Sequence, residues 1–179
     1  TGTSWQHYQN STYSPTCLYA ATKEAFYKIL KFYQETADLK VITLKLFGTY
    51  GKNDNRNKIF SLIKEASETQ KIIKMTPGEQ LVNMVHIKDV VKCYNIAAKY
   101  LINDNSEYFG EYAVSSDENY KLKDLVKLYE KISKRKINVI WGGIDYRPRE
   151  VMLPWNTGNV LPGWKAYISL ENGIKETLE

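Results

Sequence analysis

Residues 3–23 read TSWQHYQNSTYSPTCLYAATK, and the chemistry of the stretch sits at Ser4, Tyr19 and Lys23. Residues four apart on a helix share a face, so Tyr19 and Lys23 point the same way. An ammonium held beside a phenol favours the phenolate. Such a pair can exchange a proton with a carbonyl or an alcohol. A hydroxyl brought in from a preceding strand end, here Ser4, could hydrogen-bond the same oxygen and hold it in line. The chain has 14 tyrosines in 179 residues, so short Tyr-x-x-x-Lys pairs also arise by chance. Tyr27 and Lys31 form a second one, read as a solvated helix face. Context has to decide between the two.

Outward from this stretch, strands and helices alternate. Residues 1–8 read as a strand end followed by a loop, and 9–16, polar and with Pro15, as a loop. Helices are expected over 18–35, 59–68, 88–100, 122–134 and 170–178 from apolar residues at a 3.6 period. Strands are expected over 41–47, 72–75, 81–85, 112–114 and 137–140. Residues 48–57 and 146–163 read as loops from their Gly, Asn, Asp and Pro content. The alternation argues for an α/β layer fold with parallel pairing.

An apolar fraction of 43% and a charged fraction of 25% belong to a globular, water-facing chain. The net charge of +5 is spread without a block of one sign, which suits an anionic small molecule. No aromatic-plus-basic pattern for nucleic acid stands out, and no apolar run approaches a membrane span. Cys17 and Cys93 are far apart and form no paired motif, so a reducing, cytoplasmic setting is expected. No metal-ligand cluster is read from the sequence.

The stretch resembles the extended short-chain dehydrogenase/reductase family of nucleotide-sugar epimerases, dehydratases and reductases. That family shows a Ser/Thr pair at a strand end, a Tyr shortly after, then Pro-x-x-Tyr-x-x-x-Lys. Here Thr3-Ser4, Tyr8, Pro15, Tyr19 and Lys23 stand in those places, Pro15 one residue early. Further segments match in order: Lys45-Leu-Phe-Gly-Thr-Tyr-Gly51, Gly78-Glu-Gln80, Val85-His-Ile-Lys-Asp-Val90, Arg147-Pro-Arg-Glu-Val151, Leu161-Pro-Gly-Trp164 and Leu170-Glu-Asn-Gly-Ile174.

The resemblance implies the carboxy-terminal portion of a Rossmann-like doubly wound parallel sheet plus a small α/β substrate-binding domain. Residues 1–51 and 82–116 would end the dinucleotide-binding domain, and 52–81 and 117–179 would form the interleaved substrate domain. The glycine-rich half of the family, which cradles the dinucleotide phosphates, is not found in this sequence. The chain alone is therefore expected to bind dinucleotide poorly and to be inactive.

By the same resemblance, Tyr19 is the general acid/base, Lys23 its electrostatic partner and Ser4 the orienting donor. Tyr19, Lys23, Phe47 and Gly48 would meet NAD or NADP. Ser4, Trp5, Gln6, Thr49, Lys58, Ile59 and Arg147 would meet a nucleotide sugar, with Arg147 on the diphosphate and Arg149 its fallback. The family's dehydratases carry Asp-Glu after the Ser, and some epimerases a Cys two residues after it. Trp5-Gln6 fits neither, which leaves 4-keto-sugar reduction or 4-epimerisation, with a lean to CDP- or dTDP-deoxysugar reductases. Two departures stand out: Gly48-Thr49 where Asn is common, and Val82-Asn83 where many relatives have Arg-Asp. His7 is read as a satisfied or solvent-exposed histidine, His86 and Asp89 as structural, and Trp141, Trp155 and Trp164 as packing. Helices 18–35 and 88–100 imply a homodimer. The rival expectation is a non-catalytic nucleotide- or sugar-binding scaffold that keeps the fold.

Overall fold

Strand β1 (Gly2–Thr3) lies parallel to β2 (Ile42–Leu46), and β2 lies parallel to β6 (Gly110–Val114) in the computed structural model, which describes residues 1–103 and 108–179. Residues 104–107, inside the expected segment 82–116, lie outside the described residues. The register sets Thr3 opposite Leu46 and Leu46 opposite Val114. All three strands thus end on one rim, and the residues that follow, Ser4, Phe47 and Ser115, leave the sheet together there.

The 19-residue helix α1 (Leu18–Thr36) makes the crossover from β1 to β2. Its apolar residues keep the helical period, yet only Ala20 and Glu24 are buried, while Phe26 and Ile29 remain 54% and 52% exposed. Tyr27 is not on a solvated face as expected. It is half-buried and hydrogen-bonded to Glu111 of β6; burial, and then the Glu111 charge and bond, push its phenol up to about 12.

A second sheet has the order β3-β5-β7: β3 (Gly48–Tyr50) runs parallel to β5 (Leu81–His86), and β7 (Asn119–Lys121) is antiparallel to β5. Both short strands are corrections, since 48–50 read as loop and 119–121 carried no strand signal. Neither is recognisable locally, because both depend on hydrogen bonds to a distant β5. A third, two-stranded sheet pairs β4 (Ile73–Met75) with β8 (Val139–Trp141) in parallel. Helices α2 (Ile59–Thr69), α3 (Ile87–Ile102), α4 (Leu122–Ser133) and α5 (Leu170–Leu178) fall within a few residues of the expected spans.

Two apolar clusters form the core. One gathers Phe60, Ile63, Leu125, Tyr129 and Ile174 from α2, α4 and α5 around Tyr50. The other packs Leu44, Val85, Val90, Val114 and Trp164 between the first sheet and α3. Asp89, fully buried at the start of α3, ties the late chain to this second cluster. Its carboxylate accepts from the Tyr167 and Ile168 amides at 3.0 and 2.8 Å, and its carbonyl accepts from the Trp164 indole at 2.9 Å. Asp89 is thus committed to holding the late chain, and His86 is buried at the end of β5. Among the described residues no helix is long and apolar enough to cross a membrane, and no group of side chains could hold a metal ion.

Candidate active site

The site is built on the rim where β1 and β2 end. In a parallel sheet, ligands bind beyond the carboxyl ends of the strands. Ser4 opens a single 3-10 turn, Ser4–Gln6, immediately after β1. Thr3 caps this turn: its hydroxyl accepts from the Trp5 amide at 3.4 Å, and its own amide donates to Gln6 Oε1 at 2.9 Å. The loop then folds back on itself. The Ser14 and Thr16 amides donate to the Gln6 and Trp5 carbonyls at 2.8 and 2.9 Å, and the Tyr8 amide donates to the Ser14 carbonyl at 2.9 Å. So 4–16 is a closed loop with Ser4 at its rooted end.

Helix α1 packs against β1 and the Ser4 turn, and its first two turns carry Tyr19 and Lys23. Tyr19 is 52% exposed. The Lys23 ammonium stands 5.6 Å from the Tyr19 ring centroid and, among the described residues, makes no ion pair. Gln6 does not present its side chain to a ligand. It is buried, and its amide nitrogen donates to Glu24, next to Lys23, at 2.6 Å. The expected substrate contact fails there, and Gln6 instead ties the Ser4 turn to α1.

Below the loop lies a group that the sequence did not suggest. Lys45, on β2, is fully buried, with its ammonium 2.7 Å from His7 Nε2 and 2.5 Å from Glu111 Oε1. The other ring nitrogen of His7 lies 3.0 Å from the Ser11 carbonyl. That pattern requires a neutral imidazole with its proton on Nδ1. Burial, and then the Lys45 charge, hold the His7 pKa below its ordinary value. The imidazole stacks on Trp155 with centroids 3.9 Å apart. Nothing local announces this cluster; a lysine inside a strand of Ile, Thr and Leu is its only trace.

On the β2 side, Gly48 has a physical reason to replace the family's Asn. A Cβ there would fall 2.5 Å from Met84 Sδ and 2.8 Å from the Asn83 carbonyl, so β5 passes too close for a side chain. Asn83, where many relatives carry Asp, is buried and fully committed: its amide donates to Ser116, Glu118 and Asn119, and its oxygen accepts from the Ser116 amide. The Thr49 hydroxyl donates to the Phe47 carbonyl at 3.3 Å. Arg56, absent from the expected site, donates to the Thr49 carbonyl at 3.2 Å and is gripped by Asp54. Lys58 is exposed at the start of α2 beside the half-buried Ile59.

The late arginines come back over the Ser4 loop. The Arg147 guanidinium stands 5.5 Å from the Trp5 ring and reaches both Glu150 carboxylate oxygens at 3.2 Å, which raises its pKa. Arg149 stands 4.5 Å from the Tyr8 ring and donates to the Ser14 hydroxyl. The structure thus brings Arg147 over Trp5, the residue that follows Ser4. Lys58, Ile59 and Thr49 are tied to β3 and the start of α2.

The fold is that of an α/β protein with parallel sheets, and the candidate site lies past the ends of parallel strands. The chain belongs to the NAD-dependent epimerase/dehydratase family, whose description matches residues 4–108. It is similar to CDP-abequose synthase of Yersinia pseudotuberculosis, 30% identical over 138 residues, which covers 76% of this chain and 46% of that protein. It is 28% identical over 168 residues to CDP-abequose synthase of Salmonella typhimurium, covering 90% of this chain and 55% of that one. The chain therefore spans about half the length of the curated relatives it matches. Among solved structures, the Bacillus cereus UDP-glucuronic acid 4-epimerase in complex with UDP-glucuronic acid and NAD superposes with a TM-score of 0.84 at 17% identity, covering 98% of this chain and 58% of that one. The Thermotoga maritima UDP-glucose 4-epimerase with UDP-glucose gives 0.82 at 18% identity, covering 99% of this chain and 60% of that one. These likenesses establish the fold.

Proposed function

We propose that this chain supplies the acid/base and substrate-binding part of an NAD(P)-dependent enzyme that reduces a CDP-linked 4-keto sugar, with 4-epimerisation as the alternative outcome. The observation that carries the reading is the packing of α1 against the Ser4 turn. The first two turns of that helix carry Tyr19 and Lys23, and the Ser4 turn follows directly on β1, which supports the assignment. The two curated relatives are named for a CDP-linked sugar, which supports the nucleotide.

The residues present fit the nicotinamide end of a dinucleotide. Lys23 is unpaired among the described residues, which leaves its ammonium to bond ribose hydroxyls, and Phe47-Gly48 borders the same rim. Bound there, NAD(P)H would supply the hydride. The chain's own residues do the rest. Ser4 donates to the keto oxygen and fixes its direction. Tyr19 delivers the proton to that oxygen, and Lys23 steadies the charge left on the phenol. Arg147 takes the diphosphate, and Thr49, Lys58 and Ile59 border the sugar nucleotide. Trp5 and the buried Gln6 place no second acid or base beside Ser4, which favours a single proton transfer over dehydration. The exposed apolar residues of α1 and α3, Phe26, Ile29, Val91 and Tyr94, support a homodimer built on these helices.

The test is NADPH- or NADH-dependent reduction of CDP- and dTDP-linked 4-keto-6-deoxy sugars by the full-length protein. Tyr19→Phe should lower kcat about 10²–10⁴-fold, the usual share of a general acid. A full-length protein that binds neither dinucleotide, and whose turnover Tyr19→Phe leaves untouched, would be a non-catalytic binding protein on the same scaffold.

A further inference from the structure

Five contacts join the Ser4 loop to the late arginine segment. Arg147 lies over Trp5, and Arg149 lies over Tyr8 and bonds Ser14. Trp155 stacks on His7 at 3.9 Å, and the Asn156 amide donates to Asn10 Oδ1 at 2.9 Å. Each contact pairs one residue of 5–14 with one of 147–156. The pairing is anchored from below, because His7 rests on the buried Lys45 and Gln6 on Glu24. A guanidinium on an aromatic face is held there by the ring quadrupole. Two such stacks, one ring stack and two hydrogen bonds tie the two segments to each other.

The Arg147 fork is only partly used. Its Nε and one terminal nitrogen face Glu150, which leaves the remaining guanidinium hydrogens for an anion. An anion arriving at that edge would pull on a group whose face rests on Trp5, and Trp5 is bonded directly to Ser4.

We propose that Trp5 and Tyr8 are positioning residues that couple occupancy of an anion site at Arg147 to the orientation of Ser4. The Ser4 loop and the 147–156 segment form one unit, so a phosphate group bound by the arginine settles the hydroxyl donor before the sugar reacts. Trp5 therefore acts through Arg147 and Ser4 rather than as a sugar ligand. This rests on the reading of Arg147 as the diphosphate ligand.

The experiment uses the full-length protein, ¹⁵N-labelled and titrated with inorganic pyrophosphate. The Arg147 side-chain Nε–H, the Trp5 indole N–H and the Ser4 amide are followed to saturation. In the unaltered chain all three should move along one binding curve. In Trp5→Leu/Tyr8→Leu the Arg147 signal should still saturate, while the Ser4 displacement falls at least threefold. Trp5→Phe/Tyr8→Phe, which keeps both rings, should behave like the parent. The Leu125 and Ile174 amides report whether the far core is intact. If the double leucine variant is unfolded, Tyr8→Leu alone should reduce the Ser4 displacement. A Ser4 signal that is still while Arg147 responds, or one that moves equally in the leucine and phenylalanine variants, overturns the coupling and leaves Arg147 as an anion ligand. An Arg147 signal that pyrophosphate never shifts overturns the diphosphate reading and the coupling with it.

Discussion

The Lys45 ammonium lies 2.7 Å from His7 Nε2, deep under the loop that carries Ser4, so the fold holds a cation against an imidazole that must stay neutral. His7 and His86 both have pKa values held below the ordinary 6.5, chiefly by burial. Above about 6.5 each histidine is neutral folded and unfolded alike, and its full contribution to stability is present. As the pH falls through that value the unfolded chain takes up protons that the folded chain refuses. Stability then declines, at most ~1.4 kcal/mol per pH unit for each histidine, until the folded groups titrate. The urea midpoint should be lower at pH 5.5 than at pH 7.5. His7→Gln, which keeps an acceptor for Lys45, should roughly halve that difference.

What could be read from the sequence depended on how local each cause was. The apolar run of β2 and the periods of α2 to α5 are written in neighbouring residues, and these elements lie where expected. The exposed apolar face of α1 is equally periodic, but periodicity marks a helix and does not say what covers it. Gly48–Tyr50 and Asn119–Lys121 are strands only because β5 runs between them. The same holds for the site. The spacing of Ser4, Tyr19 and Lys23 is visible in one dimension, whereas His7 meets Lys45, and Trp5 meets Arg147, only after the chain has folded. Gln6 was misassigned because an amide looks the same whether it faces a ligand or a buried Glu24.

Tyr50 and Gly173 belong to segments far apart in the chain and meet in the core. A Cβ at position 173 would overlap the Tyr50 hydroxyl, so α5 can approach β3 only with glycine there. Tyr50 cannot easily yield, because it stacks on Phe60 with centroids 4.5 Å apart and abuts His86 edge-on. Gly173→Ala should therefore lose about 1–3 kcal/mol to overpacking, more than the ~1 kcal/mol that alanine gains over glycine inside a helix. The Tyr50 hydroxyl has no hydrogen-bond partner among the described residues. Tyr50→Phe should be neutral or stabilising by up to ~1 kcal/mol. Combined with Gly173→Ala it should recover part of the loss, a non-additivity that urea denaturation of the four proteins would measure.

Asp89 offers one carboxylate oxygen to two successive amides, those of Tyr167 and Ile168. Charge-assisted bonds of this kind are worth about 1.5–3 kcal/mol each, and Lys92 at 3.7 Å adds little because it is largely exposed. Asp89→Ala should cost roughly 3 kcal/mol. Amide hydrogen exchange should rise most at Tyr167 and Ile168, with smaller changes around Leu125, which belongs to the other core cluster. Uniform acceleration across both clusters would show that Asp89 supports the whole fold rather than this one tie.

Gly48 tests whether this chain departs from its family for a steric reason. Asparagine at that position would have to displace Met84 Sδ, which is the flexible end of a side chain, and also the Asn83 carbonyl, which is backbone. The first can move and the second cannot, because Asn83 is fixed by four hydrogen bonds to the 116–119 segment. Gly48→Asn should therefore destabilise by about 1–3 kcal/mol. Met84→Ala in the same chain should relieve only the part of that cost owed to the sulfur. If Gly48→Asn Met84→Ala were as stable as Met84→Ala alone, the side chain would be the whole obstacle. The β5 backbone would then not be what keeps asparagine out.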